Sequence, residues 1–110
     1  MVDARKILKE VYEAAHELFG DKLRDVYLYG SYARGDFRED SDVDILVSVD
    51  LPPDELASFW RAYAHIGSEI SLENDVTVSI TWKSYDQFHR YSASLPYYRN
   101  VLREGIRYAT

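Results

Sequence analysis

The chain contains no cysteine. That excludes disulfide bridges and thiolate metal sites, and it fits a reducing compartment such as the cytoplasm. Positive charge is in deficit: 13 Lys and Arg stand against 19 Asp and Glu, for a formal net charge of -6. A protein that grips nucleic acid by neutralising phosphates is ordinarily basic, so direct nucleic-acid binding is not expected. Long apolar runs are missing too. None approaches the roughly 20 residues a membrane helix needs, and the N-terminus carries charge where a signal peptide would have its apolar centre. There is no internal repeat, linker or low-complexity tract. What remains is 46% hydrophobic and 29% charged, the composition of an ordinary globule. With 110 residues the chain reads as a single domain, residues 1–110, with one core. Ten tyrosines are many for this length, and several crowd into the C-terminal third.

The apolar pattern alternates between helical and strand periods. Asp3 can cap a helix through about Phe19, with Ile7, Leu8, Val11, Tyr12, Ala15, Leu18 and Phe19 at helical spacing and Gly20 as its stop. Asp25 to Tyr29 reads as a short strand ended by Gly30, and Val43 to Val49 as a second strand. Pro53 can open a helix through about Ile70. Asp75 to Thr81 alternates, with Val76, Val78 and Ile80 to one side and Asp75, Thr77 and Ser79 to the other. Ser84 to Gln87 has capping-box spacing, and Ser94 with Pro96 can start a last helix that Gly105 ends. The expected architecture is α/β (α+β): a small mixed sheet with helices on at least one face.

Asp42 and Asp44 interrupt an apolar run. Residues two apart on a strand point the same way, so these carboxylates share a face roughly 6–7 Å apart along it. Val43, Ile45 and Val47 take the opposite face. Two parallel carboxylates repel, and burying them unpaired is costly. A hard divalent cation removes that cost. Mg²⁺ commonly takes one or two protein carboxylates and completes its octahedron with phosphate oxygens and water. An exposed strand end, or turn chemistry after Ser41, is the plainer reading of the same pair. Upstream, Gly30 permits close backbone approach. Ser31 supplies a hydroxyl at a helix start where amides can meet an anion. An anion corner beside a cation site suits a metal-bound triphosphate. Arg34, one helical turn past Ser31, can reach a phosphate or pair with Asp36. His16, His65 and His89 have no metal-ligand spacing, and no Ser-His-Asp or Cys-His constellation is discernible.

The stretch GSYARGDFREDSDVDILV, Gly30 to Val47, resembles the signature of the DNA polymerase β-like nucleotidyltransferases: Gly-Ser, about ten residues, then Asp-x-Asp. Ala33-Arg34-Gly35 and Ser41 look like the minimal nucleotidyltransferase (MNT) branch. The resemblance implies that Gly30 and Ser31 hold the triphosphate of ATP and that Asp42 and Asp44 coordinate Mg²⁺, with two ions. It implies a third carboxylate from a later strand, for which Asp75 is the best match and Glu73 the competitor. It implies transfer of a nucleoside monophosphate with loss of pyrophosphate. It also implies a partner, because a bare catalytic core must borrow its acceptor recognition. In the MNT branch that partner is a HEPN-family toxin, adenylylated on a tyrosine, with the MNT protein as antitoxin. A catalytically silent stoichiometric antitoxin or nucleotide-binding module, and a small-molecule nucleotidyltransferase, are the alternatives. Homo-oligomerisation is left open.

Overall fold

The computed structural model describes residues 2–108. Helix α1, Ala4–Phe19, starts where Asp3 accepts a hydrogen bond from the Lys6 amide at 3.1 Å and stops at Gly20. A single 3-10 turn leads into strand β1, Leu23–Tyr29. The short helix α2, Ser31–Arg34, precedes strand β2, Val43–Val49. Helices α3, Pro53–Ala57, and α4, Trp60–Asn74, cross over to strand β3, Val78–Ser84. Helices α5, Tyr85–Tyr91, and α6, Pro96–Glu104, lead to the short strand β4, Ile106–Arg107. The sheet order is β3-β2-β1-β4. Strand β1 is antiparallel to β2 and β4, and β2 is parallel to β3. The fold is therefore the mixed α/β architecture expected. The helical crossover between β2 and β3 is what a parallel pair demands. No helix of the described residues is long and apolar enough to cross a membrane.

Alternation along the strands gives the sheet two unlike faces. Val26, Leu28, Val43, Ile45, Val47, Val49 and Val78 are buried with Ile7, Val11, Ala15 and Ile70 of α1 and α4. The second face carries Asp25, Tyr27 and Tyr29 of β1, then Asp44, Leu46 and Ser48 of β2 at register-paired positions. Phe88 of α5 and Val101 of α6 bury the middle of this face against Tyr27 and Leu46. The end that bears Asp44 stays half-open, and neighbouring Ser79 is exposed.

Three expectations need correction. The helix expected from Pro53 to Ile70 breaks at Ser58 and Phe59. The Ser58 hydroxyl donates back to the Glu55 carbonyl at 2.6 Å, while the Tyr63 hydroxyl donates to the Leu56 carbonyl at 2.6 Å. The strand expected from Asp75 begins at Val78. Helix α4 runs on to Asn74, whose amide donates to the Ile70 carbonyl at 2.8 Å and to Glu10 of α1 at 2.9 Å. Asp75 then closes the helix in a left-handed conformation, φ 52°. Finally, Ser84 precedes α5 without a capping hydrogen bond, because it is buried as the last residue of β3.

At the far end of the second face, buried Asp25 ties three elements together. It accepts from the Ser48 hydroxyl at 3.1 Å and from Arg107 Nε of β4 at 2.8 Å, and it lies 3.4 Å from His89 Nε2 of α5. Asp25→Ala strands the Ser48 hydroxyl and removes the anchor of β4. It is expected to cost about 1–3 kcal/mol, read as a lower urea midpoint with an unchanged m-value.

Candidate active site

The turn at Gly30 joins β1 to α2 with φ 75° and ψ -154°, a backbone conformation in which side chains are strained. Its carbonyl accepts from both Ala33 and Arg34 amides at 3.1 Å, and Gly35 closes α2 in the left-handed region. The first amides of a helix lack partners within it, so this corner can meet an anion. A Cβ on Gly30 would lie 2.5 Å from Asp44 Oδ2. The missing side chain at Gly30 is therefore what lets the Asp44 carboxylate pack directly against the turn. The structure brings Gly30, Ser31 and Asp44 to one corner because Tyr29, the residue before the turn, is the register partner of Asp44.

Asp42 stands one residue before β2, in a loop braced on both sides. The Ser41 hydroxyl accepts from the Arg38 amide at 2.8 Å, and the Val43 amide donates to the Thr77 carbonyl at 2.9 Å. The stack of Tyr32 on Phe37, 4.3 Å between centroids and 7° between planes, closes the loop farther back. Burial pushes the Asp44 carboxyl above its ordinary range. The Asp42 charge adds to that, and Arg34 opposes it. A positive partner beside Asp44 would offset both the burial and the like charge. Arg34 itself pairs with Asp36 at 3.2 Å and Glu104 at 3.6 Å, so its guanidinium is held near the corner by exchangeable surface contacts.

Asp75 does not join this group. It is the exposed C-cap of α4, three residues ahead of β3, and Glu73 lies within α4 itself. Among the described residues no set of three acidic or histidine side chains is arranged to hold a metal ion. His65 pairs with Glu69, and His89 lies beside Asp25. The donors present are two hard carboxylates, Asp42 exposed and Asp44 half-buried, beside the Gly30–Ser31 turn. They fit one hard divalent cation that takes its remaining ligands from phosphates and water. Asp75→Asn, a residue type that tolerates the left-handed region, is expected to leave both the melting temperature and metal–nucleotide binding unchanged, checked by thermal melting and calorimetry.

Tyr29, Thr81 and Tyr97 extend the site beyond the residues singled out from sequence. The Tyr29 and Tyr97 hydroxyls are 2.6 Å apart. Burial, with the Tyr97 hydrogen bond, raises the Tyr29 phenol well above its usual range. A groove of about 400 Å³ beside them is lined by Thr81, Lys83, Leu95, Pro96, Tyr97 and Tyr98. The alternation that puts Asp25, Tyr27 and Tyr29 on one face is readable in the sequence. The return of α6 over that face is not.

The chain belongs to the nucleotidyltransferase domain family, whose model matches residues 7–108. It is a nucleotidyltransferase. The protein adenylyltransferase MntA of Thermococcus cleftensis is 33% identical over 82 residues, covering 74% of this chain and 80% of its own. Among solved structures, a chain in a crystal structure of a toxin–antitoxin with AMP-PNP aligns over 93% of this chain and 73% of its own, with a TM-score of 0.58 and 20% identity. A chain of the tri-AMPylated Shewanella oneidensis HEPN toxin in complex with MNT antitoxin aligns over 98% and 74%, with a TM-score of 0.55 and 17% identity. At those identities the two structures speak to the fold.

Proposed function

We propose that this chain transfers AMP from ATP to a tyrosine hydroxyl of a HEPN-family partner, and so serves as the antitoxin of a toxin–antitoxin pair in the cytoplasm, where ATP is supplied. The observation that carries the reading is the close packing of the half-open Asp44 carboxylate against the Gly30 turn, at the start of α2. Support for the acceptor comes from the adenylyltransferase name of the MntA relative and from the AMPylated HEPN toxin in the similar complex. The AMP-PNP complex supports an adenine nucleotide as donor.

In this reading Gly30 admits the triphosphate to the backbone. The Ser31 hydroxyl donates to a phosphate oxygen, and Arg34 exchanges its surface partners for another. Asp42 and Asp44 would hold Mg²⁺, which when bound neutralises triphosphate charge and polarises the α-phosphate. The corner fixes the nucleotide so that an incoming hydroxyl lies in line with the α-phosphorus, and positioning supplies most of the rate. A bond forms from the acceptor oxygen to the α-phosphorus and the bond to the β-phosphate oxygen breaks. Pyrophosphate leaves, and the hydroxyl proton passes to solvent. The groove walled by Tyr97, Tyr98 and Leu95 is suited to an aromatic acceptor segment.

The raised Asp44 carboxyl sets a pH dependence. Protonation begins at higher pH than for an ordinary aspartate, and the protonated form cannot hold a cation. Affinity for Mg²⁺–ATP is therefore expected to fall earlier on acidification than an unshifted carboxylate would allow, measured by calorimetry across pH 4 to 7. The acceptor is tested by incubating the chain, ATP and Mg²⁺ with its HEPN partner and mapping the product by peptide mass spectrometry. AMP on a tyrosine is expected. AMP on no partner residue, with nucleotide bound tightly, would favour a stoichiometric binding module.

A further inference from the structure

The parallel register between β2 and β3 places Ser79 directly beside Asp44. Register-paired residues on adjacent strands project from the same face about 4.8 Å apart. Position 79 is thus where a carboxylate would stand next to that of Asp44, and the chain has a neutral, exposed hydroxyl there. The following residues of β3 on this face are Thr81 and Lys83, a hydroxyl and a cation. The charges that act on Asp44 are those of Asp42 and Arg34. Asp75 and Glu73, the nearest carboxylates along the chain, are held in the C-terminal turn of α4 by its cap and by the Asn74 hydrogen bonds to α1 and Ile70.

From this we infer that the chain holds one divalent cation with its nucleotide and no second one, and that Ser79 is the position that sets this number. The inference rests on the nucleotidyl-transfer reading. It adds that this chain alone binds metal–nucleotide in a complex lacking one anionic ligand. Two carboxylates and the phosphates saturate one hard cation, whereas a second would need another anionic oxygen from the protein. A serine hydroxyl is a neutral and weaker donor. An aspartate at position 79 would bring a third carboxylate to the face that already carries Asp44. Because Ser79 is exposed, the substitution is compatible with the fold.

The test counts Mn²⁺ bound to the intact chain in saturating α,β-methylene-ATP, an analogue that cannot release pyrophosphate. Free Mn²⁺ is read by electron paramagnetic resonance, and no turnover is involved. Wild type, Ser79→Ala and Asp75→Asn are each expected to bind one ion per chain, and Ser79→Asp two. Two ions on the wild-type chain would overturn the inference. So would a single ion on folded Ser79→Asp, since position 79 would then not be the missing ligand. A fall to one ion from two in Asp75→Asn would return the third-ligand role to Asp75 and overturn it likewise. Failure of the wild type to bind either nucleotide or Mn²⁺ is a different result. It would remove the nucleotidyl-transfer reading, and the inference with it.

Discussion

Replacing Asp42 and Asp44 together by asparagine is expected to lower nucleotidyl transfer by a factor of about 10³ or more while the domain stays folded. Holding the cation against developing phosphate charge contributes several kcal/mol to such a reaction, and each 1.36 kcal/mol is tenfold in rate. Asparagine keeps the shape of each side chain and removes the anionic ligand. The same variant is expected to melt at a higher temperature than wild type in metal-free buffer at neutral pH. The reason is the sign of the shift at Asp44. Burial and the Asp42 charge raise its carboxyl above the ordinary value of 3.8, so the native state binds that proton more tightly than the unfolded state. Stability is then greatest below this window and falls as pH rises through it. Removing the charge restores what is lost, so the gain is present at neutral pH and vanishes on acidification below the ordinary aspartate range. Transfer at the wild-type rate in the double variant would take both residues out of the chemistry.

Gly30→Ala is expected to abolish measurable nucleotide binding and to destabilise the domain by about 1–3 kcal/mol from backbone strain alone, a drop of about 5–15 °C in melting temperature. The added methyl must also displace Asp44 Oδ2, 2.5 Å away. Gly30→Val does the same more severely. Gly35→Ala separates the two causes. Gly35 has φ 86°, but a methyl added there would meet nothing within 4 Å, so that variant should lose stability and keep its nucleotide. Ser31→Ala removes one hydrogen bond to a charged acceptor, worth about 1.5–3 kcal/mol, and should weaken binding about 10- to 100-fold. If Gly30→Ala bound ATP as tightly as wild type, the phosphates would lie elsewhere.

The portions of the fold legible in the sequence are those governed by local chemistry. Asp3 and Gly20 delimit α1 because a cap and a left-handed stop are contacts within a few residues. Val43 to Val49 matches β2 because the alternation around Asp42 and Asp44 admits one register. The Gly30–Ser31 corner and the aspartate pair are legible together because one turn and one register bring them together. Asp75 departs from its expected place for a tertiary reason. Alternation continues unbroken from Asp75 into Val78, and nothing nearby in sequence announces that Asn74 is tied to Glu10, 64 residues away, which prolongs α4. Strand β4 is not legible because two residues carry no period, and its pairing with Tyr27 and Leu28 of β1 and the Arg107 contact to Asp25 lie far away in sequence. The significance of Ser79 depends wholly on the β2–β3 register, which single-strand periodicity does not supply.

Transfer of label from ATP to a purified HEPN partner, with the label on the α-phosphate in one reaction and on the γ-phosphate in the other, tests the central claim most directly. Nucleotidyl transfer requires the α-label to appear on the partner and the γ-label to leave in pyrophosphate. With wild type and Mg²⁺ the expected result is α-label on the partner, none from the γ-position, and loss of the α-signal in the Asp42→Asn, Asp44→Asn variant. Label on the partner from the γ-phosphate, or α-label transfer that survives in that variant, would contradict it.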